Sequence, residues 1–191
     1  MIKTITGASG VGKSYISEYL KTLNNNVVHL NIDLVGHKVL ENEVVKESLI
    51  KCFDLQLNNN NVDRKILGDL VFNNQEKMKE LSNITWSYME KIIDEFIVEN
   101  KENIIILDWI LIPKTKYFKL SDLNILVTSP FEIRMDRALK RDNITTCKFL
   151  EREKATLDFS NFDFDYIINN ESLNDTKRKV KNIYDKSIIS R

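Results

Sequence analysis

The sequence predicts an α/β fold in which about five parallel strands are flanked by helices. The first 33 residues follow the order strand, glycine-rich loop, helix, strand. Such a βαβ unit implies a parallel sheet, because parallel strands need a crossover connection. Beyond residue 100, three more short apolar segments alternate with stretches of helical periodicity. Both ends of the chain therefore contribute to one sheet.

The opening unit is defined by a change of hydrophobic period. "MIKTIT" is a short apolar strand that stops at Gly7. In the following "KSYISEYLKTL", Ile16 and Leu20 recur at the spacing of one helix face. Residues 27–33 then form a second strand whose polar end contains Asp33.

Residues 34–100 are predicted to form a helical insertion between sheet strands, because no strand signal occurs between Asp33 and Ile104. Amphipathic helices are expected at 41–53, at 63–72 and from about 75 to 99. The asparagine run at 58–61 is expected to be a loop between two of these helices.

The residues after 100 are predicted to form the rest of the sheet. Strands are expected at 103–108, 123–127 and 164–168, and helices at 130–141, at 148–157 and at the C-terminus. We therefore expect a single domain, 1–191. Its core is 1–33, 101–129 and 160–191, its helical acceptor-binding insert is 34–100, and its helical lid is 130–159.

Composition gives no indication of a nucleic-acid or membrane partner. The 28 basic and 28 acidic residues cancel, so no excess charge indicates binding to nucleic acid or a membrane surface. No apolar run approaches the roughly 18 residues of a membrane span, and the N-terminus lacks the pattern of a secretory signal. Cys52 and Cys147 lack metal-binding or redox spacing. We expect a cytoplasmic protein, a monomer or weak oligomer, without nucleic-acid or membrane partners.

The loop "GASGVGKS" (7–14) matches the phosphate-binding pattern G-x-x-x-x-G-K-[ST] and lies between a strand and a helix, where that chemistry requires it. Glycines let backbone N–H groups turn around a polyphosphate, and the helix N-terminus adds partial positive charge. The lysine would bridge the β- and γ-phosphates, and the serine would ligate Mg²⁺. The sequence thus predicts a P-loop NTPase fold with ATP and Mg²⁺. The expected contacts are Gly7, Gly10, Val11, Gly12, Lys13, Ser14 and Tyr15.

The motif alone does not distinguish a kinase from other P-loop proteins. The guanine-reading Asn-Lys-x-Asp segment of GTPases is absent, and 191 residues are few for a motor. A helical insert and a late arginine-rich hairpin are typical of small-molecule kinases, in which a lid shields the γ-phosphoryl group from water. A nucleoside or nucleoside monophosphate kinase, and a non-catalytic nucleotide-binding protein, stay open as alternatives.

Arg134, Arg137 and Arg141 lie at i, i+3 and i+7, hence on one helix face. Three guanidinium groups on one stripe repel one another unless an anion satisfies them, and their planar forks suit phosphate. We predict lid arginines that reach the ATP phosphates. The alternative is a surface helix whose arginines have partners elsewhere.

Two carboxylates end predicted strands, at the sheet edge where α/β proteins bind ligands. Asp33 could orient an acceptor hydroxyl and take its proton, or cap the next helix. Asp108 could hold Mg²⁺ through water or cap the next turn, and we place it among the substrate-binding candidates. His37 follows Asp33 by one helical turn and could contact the acceptor or be structural.

With these residues in order, the chain resembles the dephospho-coenzyme A kinases, which phosphorylate the ribose 3′-hydroxyl of dephospho-CoA with ATP in the last step of CoA synthesis. "NIDLVGH" (31–37) is similar to the family's Asp-x-Asp-x-x-x-His, and "RALKRDNIT" (137–145) to its lid. "FDYIINNES" (164–172) resembles the C-terminal Asp-x-x-x-x-Asn strand near the adenine.

The resemblance implies a role for each matching position. Asp33 would be the general base, Arg64 within "VDRKILGDLVF" (62–72) would contact the acceptor, and Asn169 would contact ATP. Lys13, Arg137 and Arg141 would stabilise the charge that develops during transfer. The chain departs from the family's pattern at Asn31, Trp86-Ser87, Trp109 and Thr156, mostly in acceptor and lid segments.

Overall fold

Five parallel strands form the main sheet, as the sequence predicts. The structure, a computed structural model, describes residues 1–71 and 74–187. Phe72, which ends the predicted helix 63–72, and residues 188–191 of the predicted core lie outside the described residues. The strands are, in chain order, β1 (Ile2–Thr6), β2 (Val27–Asn31), β3 (Leu57–Asn58), β4 (Asn61–Val62), β5 (Ile104–Asp108), β6 (Leu123–Thr128) and β7 (Tyr166–Asn169).

The predicted helices are present with small shifts of their ends, and two further helices, Ile32–Val39 and Lys116–Leu120, were not predicted from the sequence. The helices are, in chain order, α1 (Lys13–Leu23), α2 (Ile32–Val39), α3 (Glu43–Phe53), α4 (Arg64–Val71), α5 (Gln75–Glu99), α6 (Lys116–Leu120), α7 (Phe131–Asp142), α8 (Thr146–Lys154) and α9 (Leu173–Ser187). None of these helices is long and apolar enough to cross a membrane, within the part of the chain that the structure describes.

The chain divides into two compact units. The first holds Met1–Asn31 and the described residues from Asn100 onward, and the second is Ile32–Glu99. The acceptor-binding role predicted for 34–100 and the lid role predicted for 130–159 stay predictions.

In the first unit the strand order is β2-β5-β1-β6-β7, with every pair parallel. Strand β1 lies at the centre, and its residues from Lys3 to Thr6 are buried. The loop that leaves β1 therefore emerges at the carboxyl edge of the sheet, beside the end of β5. Ile5 is in register with Asp108, and Asn31 of β2 is in register with Asp108 on its other side. This is a P-loop NTPase fold.

Two predictions are wrong at the level of elements. The asparagine run at 58–61 is not a plain loop, since β3 and β4 pair antiparallel around it. Asn59 and Asn60 both have positive φ, 48° and 63°. A two-residue hairpin turn requires that conformation, which asparagine tolerates better than most residues.

The second strand is also shorter than predicted. It ends at Asn31, and Asp33 lies in the first turn of α2 rather than at a strand end. Ile32, Val35 and Val39 are buried along one face of that helix. An acidic side chain in a first turn interacts favourably with the helix dipole, so Asp33 stabilises the start of this helix.

Candidate active site

The phosphate-binding loop joins the central strand β1 to helix α1. Gly7, Gly10 and Gly12 all have positive φ, at 144°, 80° and 92°. A Cβ at Gly10 would lie against the backbone of Arg134, and one at Gly12 would collide with the side chain of Asn170. The glycines are needed both for the backbone conformation and for the close approach of these neighbours.

Lys13 and Ser14 begin α1, where the free N–H groups of the first turn favour an anion. Lys13 Nζ donates to the carbonyl oxygen of Gly7 at 3.0 Å and to that of Ala8 at 3.5 Å. The ammonium group thus lies over the loop that the sequence predicts to hold phosphates.

Asp108 ends β5, and its side chain is 2% exposed. Ser14 Oγ donates to Asp108 Oδ2 at 3.3 Å across 94 residues of sequence. Of the two roles left open for Asp108, this contact favours the one beside the nucleotide's metal. A hydroxyl and a carboxylate are the oxygen ligands that Mg²⁺ accepts, with waters and substrate phosphates completing its shell. The residues therefore fit Mg²⁺, although residues 1–71 and 74–187 contain no group of three or more His, Cys, Asp or Glu that could hold a metal without a nucleotide.

The predicted arginine stripe divides into three different environments. Arg134 is buried, and its NH1 and NH2 donate to the two carboxylate oxygens of Glu153 at 2.8 and 2.6 Å. The prediction that it reaches the ATP phosphates is wrong, because the anion that satisfies this guanidinium is a side chain of α8. The pattern of α7 alone could not indicate Glu153 as the partner of Arg134, because Glu153 lies on α8.

Arg137 and Arg141 lie beside the phosphate-binding loop. Arg137 NH1 donates to the carbonyl oxygen of Asn170 at 3.1 Å, which fixes the guanidinium near the end of β7. Arg141 donates to both carboxylate oxygens of Asp142 at 2.7 and 2.9 Å. The hydrogen bond from Arg141, together with the one from Arg152, lowers the pKa of Asp142 to about 2.

A cleft of about 540 Å³ brings most of the predicted donor-side residues together. Four of its lining residues are cations and none is acidic, so the cleft suits a polyphosphate. It is lined by Gly10, Gly12, Lys13, Ser14, Tyr15, Arg137, Lys140 and Arg141.

The asparagine whose side chain contacts the loop is Asn170, which follows β7, rather than Asn169, which ends it. Asn170 is 2% exposed; its Nδ2 donates to the carbonyl oxygen of Val11 at 2.8 Å, and its Oδ1 accepts from Thr176 Oγ at 2.8 Å. Asn169 is exposed and donates to Glu171. The Asp-x-x-x-x-Asn spacing counted from Asp165 ends at Asn170, so the sequence contained this signal.

Three of the four predicted acceptor residues lie in the second unit, whereas Asp108 ends β5 in the first unit. Asp33 and His37 are exposed and one turn apart on α2, so they share a helix face as expected. Arg64 is exposed at the start of α4. Their roles toward an acceptor stay predictions.

Comparison with known proteins decides the family. The profile of the dephospho-CoA kinase family matches residues 1–175, which is most of the chain. The protein belongs to the dephospho-CoA kinase family. It is a P-loop kinase, and the match spans both units.

Relatives with this family name are similar along nearly the whole length. A dephospho-CoA kinase of Aquifex aeolicus is 30% identical over 95% of this chain and 94% of its own. A dephospho-CoA kinase of Gamma-proteobacterium EBAC31A08 is 32% identical over 97% of this chain and 96% of its own.

Solved structures show the same fold. A crystal structure from Thermus thermophilus has a TM-score of 0.82 at 24% identity and covers 97% of both chains. A dephospho-CoA kinase from Campylobacter jejuni has a TM-score of 0.63 at 24% identity and covers 97% of this chain and 96% of its own.

Proposed function

We propose that this protein transfers the γ-phosphoryl group of ATP to the ribose 3′-hydroxyl of dephospho-CoA, giving CoA and ADP. The observation that carries the proposal is the family match over residues 1–175 of a chain whose phosphate-binding loop has every residue of its motif. Coenzyme A synthesis is the pathway that this reaction would complete.

The donor half of the reaction is assigned to the first unit. The backbone N–H groups of residues 10–15 and Lys13 would bind the β- and γ-phosphates. Arg137 and Arg141 would stabilise the negative charge that develops on the transferred group, since preorganised cations beside a phosphoryl group act most strongly in the transition state. Ser14 and Asp108 would hold Mg²⁺, directly or through water, and the ion would neutralise phosphate charge.

The acceptor half is assigned to the second unit. Asp33 would orient the 3′-hydroxyl and accept its proton as the new O–P bond forms. His37, on the same face of α2, and Arg64, at the start of α4, would bind the acceptor. Positioning dominates such reactions, so these residues would act mainly by holding the hydroxyl in line with the γ-phosphate.

The proposal includes the compartment, the oligomeric state and the partners of the enzyme. Cys52 and Cys147 are both exposed free thiols, which fits the reducing cytoplasm. We propose that the protein binds small molecules and neither nucleic acid nor membranes, because its basic and acidic residues balance. We also propose that it is a monomer or weak oligomer.

An ADP-release assay over a panel of acceptors tests the proposed substrate. Dephospho-CoA should give saturable ADP release that requires both ATP and acceptor, and the product should have the mass of CoA. The panel includes nucleosides and nucleoside monophosphates, because Asn31, Trp86 and Trp109 depart from the family's acceptor segments. Turnover of a nucleoside monophosphate without turnover of dephospho-CoA would overturn the proposal.

A further inference from the structure

Strand β2 carries a buried histidine that no step of the proposed reaction uses. The side chain of His29 is 9% exposed, and its Nε2 is buried without a hydrogen-bond partner among the described residues. An unsatisfied buried nitrogen costs free energy, so its position calls for a physical explanation.

The imidazole lies between two carboxylates. Its Nδ1 is 3.6 Å from Glu18 Oε1, and its Nε2 is 3.5 Å from Asp108 Oδ2. The latter oxygen also accepts the hydrogen bond of Ser14 Oγ at 3.3 Å. Glu18 follows Ser14 by one turn of α1, so a single helix presents both residues toward this edge of the sheet.

The two carboxylates differ in exposure to water, and therefore in how much a hydrogen-bond donor from His29 would stabilise each of them. Glu18 is 61% exposed and pairs with Lys21 at 3.0 Å, a hydrogen bond that lowers the pKa of Glu18. Asp108 is 2% exposed, so water compensates little of its charge. A neutral imidazole donates through only one nitrogen, and a proton on Nε2 serves the carboxylate that lacks solvent.

We propose that His29 is a positioning residue for the magnesium site: its Nε2–H holds the Asp108 carboxylate beside Ser14. The inference rests on the proposed assignment of Ser14 and Asp108 to Mg²⁺. A buried donor behind a metal-facing carboxylate fixes the orientation of that carboxylate, and the loss of such a partner commonly weakens metal binding by about 10- to 100-fold.

The test measures Mg²⁺ affinity in the ADP complex, with no acceptor present. The Mg²⁺ concentration that gives half of the maximal thermal stabilisation by ADP is compared between wild type and variants of the full chain. His29→Leu removes the donor and should raise this concentration about tenfold. His29→Gln places an amide N–H near the position of Nε2 and should stay within about threefold of wild type.

The matched control is Val28→Ala, which alters the neighbouring position of β2 on the opposite strand face. It should leave the Mg²⁺ requirement unchanged even if it lowers the melting temperature. If His29→Leu does not fold, His29→Asn replaces it, since its amide nitrogen lies near the position of Nδ1 and cannot reach Asp108.

A folded His29→Leu or His29→Asn protein with wild-type Mg²⁺ affinity would overturn the inference. Equal losses in the Gln variant and in Leu or Asn would also overturn it, because they would indicate packing rather than donation. A wrong acceptor would instead appear as wild-type protein that binds Mg²⁺ and ADP normally but does not turn over dephospho-CoA.

Discussion

Asn170 joins three parts of the nucleotide site through a single buried residue. Its side chain bonds the loop at Val11 and helix α9 at Thr176, while its carbonyl oxygen accepts from Ser129 and Arg137. Gly12 has no room for a Cβ because this side chain lies against it. The shape of the loop therefore depends on a residue that follows it by more than 150 positions.

We expect Asn170→Ala to lower the free energy of unfolding by about 1–3 kcal/mol, because it leaves the buried carbonyl of Val11 without its donor. The KM for ATP should rise in the same variant. Urea denaturation and initial-rate kinetics measure the two effects. Asn169→Ala is the stability control; its exposed side chain should change unfolding by less than about 0.5 kcal/mol. Equal stability losses in both variants would contradict the assignment.

The role of Asp33 can be separated from its effect on folding. Asp33→Asn keeps the size of the side chain but removes the proton acceptor, so kcat should fall at least about a hundredfold while ATP affinity is retained. Steady-state rates and ATP titration by calorimetry measure both. Glu47→Gln neutralises an exposed carboxylate of α3 in the same unit and should leave kcat unchanged. A kcat near the wild-type value would make Asp33 a helix-dipole residue only.

At the scale of elements, charged groups join α7 to α8. Arg134 pairs with Glu153, and Asp142, at the end of α7, accepts from Arg152 of α8 at 2.5 Å. Phe131 and Phe149 add one edge-to-face ring contact with centroids 5.7 Å apart. This hairpin is thus expected to respond to charge substitutions more than the sheet does.

Arg134→Met should loosen this hairpin specifically. Glu153 is 28% exposed and can recover hydration, so we expect a loss of about 1–2 kcal/mol rather than the larger cost of a fully buried pair. Hydrogen exchange of amides in α8 should become about tenfold faster. Asp136→Asn, which breaks an exposed pair with Lys140 on the same helix, should leave that exchange unchanged. Unchanged exchange in Arg134→Met would contradict the structural role.

The stability contributed by Asp142 should depend on pH. Its folded pKa of about 2 lies below the ordinary 3.8, so the contribution is complete above about pH 5 and declines as pH falls toward 2. It is at most about 2 kcal/mol and is reduced by screening, because Arg141 is 61% exposed. The destabilisation caused by Asp142→Asn in urea should shrink by about half between pH 6 and pH 3. A pH-independent difference would contradict this pairing.

At the scale of the whole molecule, the two units are predicted to bind different substrates. Hydrogen exchange with each ligand alone tests this division. ATP analogues should protect amides of the phosphate-binding loop and α1, whereas dephospho-CoA should protect amides of α2 and α4. ADP in place of the ATP analogue serves as the donor-side control. Protection by dephospho-CoA confined to the first unit would contradict the acceptor-binding role of 34–100.

Features set by local chain chemistry could be predicted from the sequence. The glycine loop, the five parallel strands and the long α5 each follow from a motif or a hydrophobic period. The hairpin at Asn59-Asn60 and the early start of α2 were missed, because two-residue strands and the end of a strand leave almost no periodic signal. The resemblance implies Asn169 as the ATP contact, although the Asp-x-x-x-x-Asn spacing counted from Asp165 ends at Asn170.

The sequence by itself determined the donor chemistry, because a phosphate-binding loop is a continuous stretch whose backbone geometry and functional groups are adjacent in the chain. Only the tertiary structure decided that Arg137 and Arg141 line the cleft while Arg134 pairs with Glu153. It alone also showed that the Asn170 side chain holds the loop at Val11, and that His29 and Ser14 both lie beside Asp108. Those contacts join residues that are from 19 to 159 positions apart. Hydrogen bonds and ion pairs depend on distances of a few ångströms, which folding sets and sequence spacing does not express.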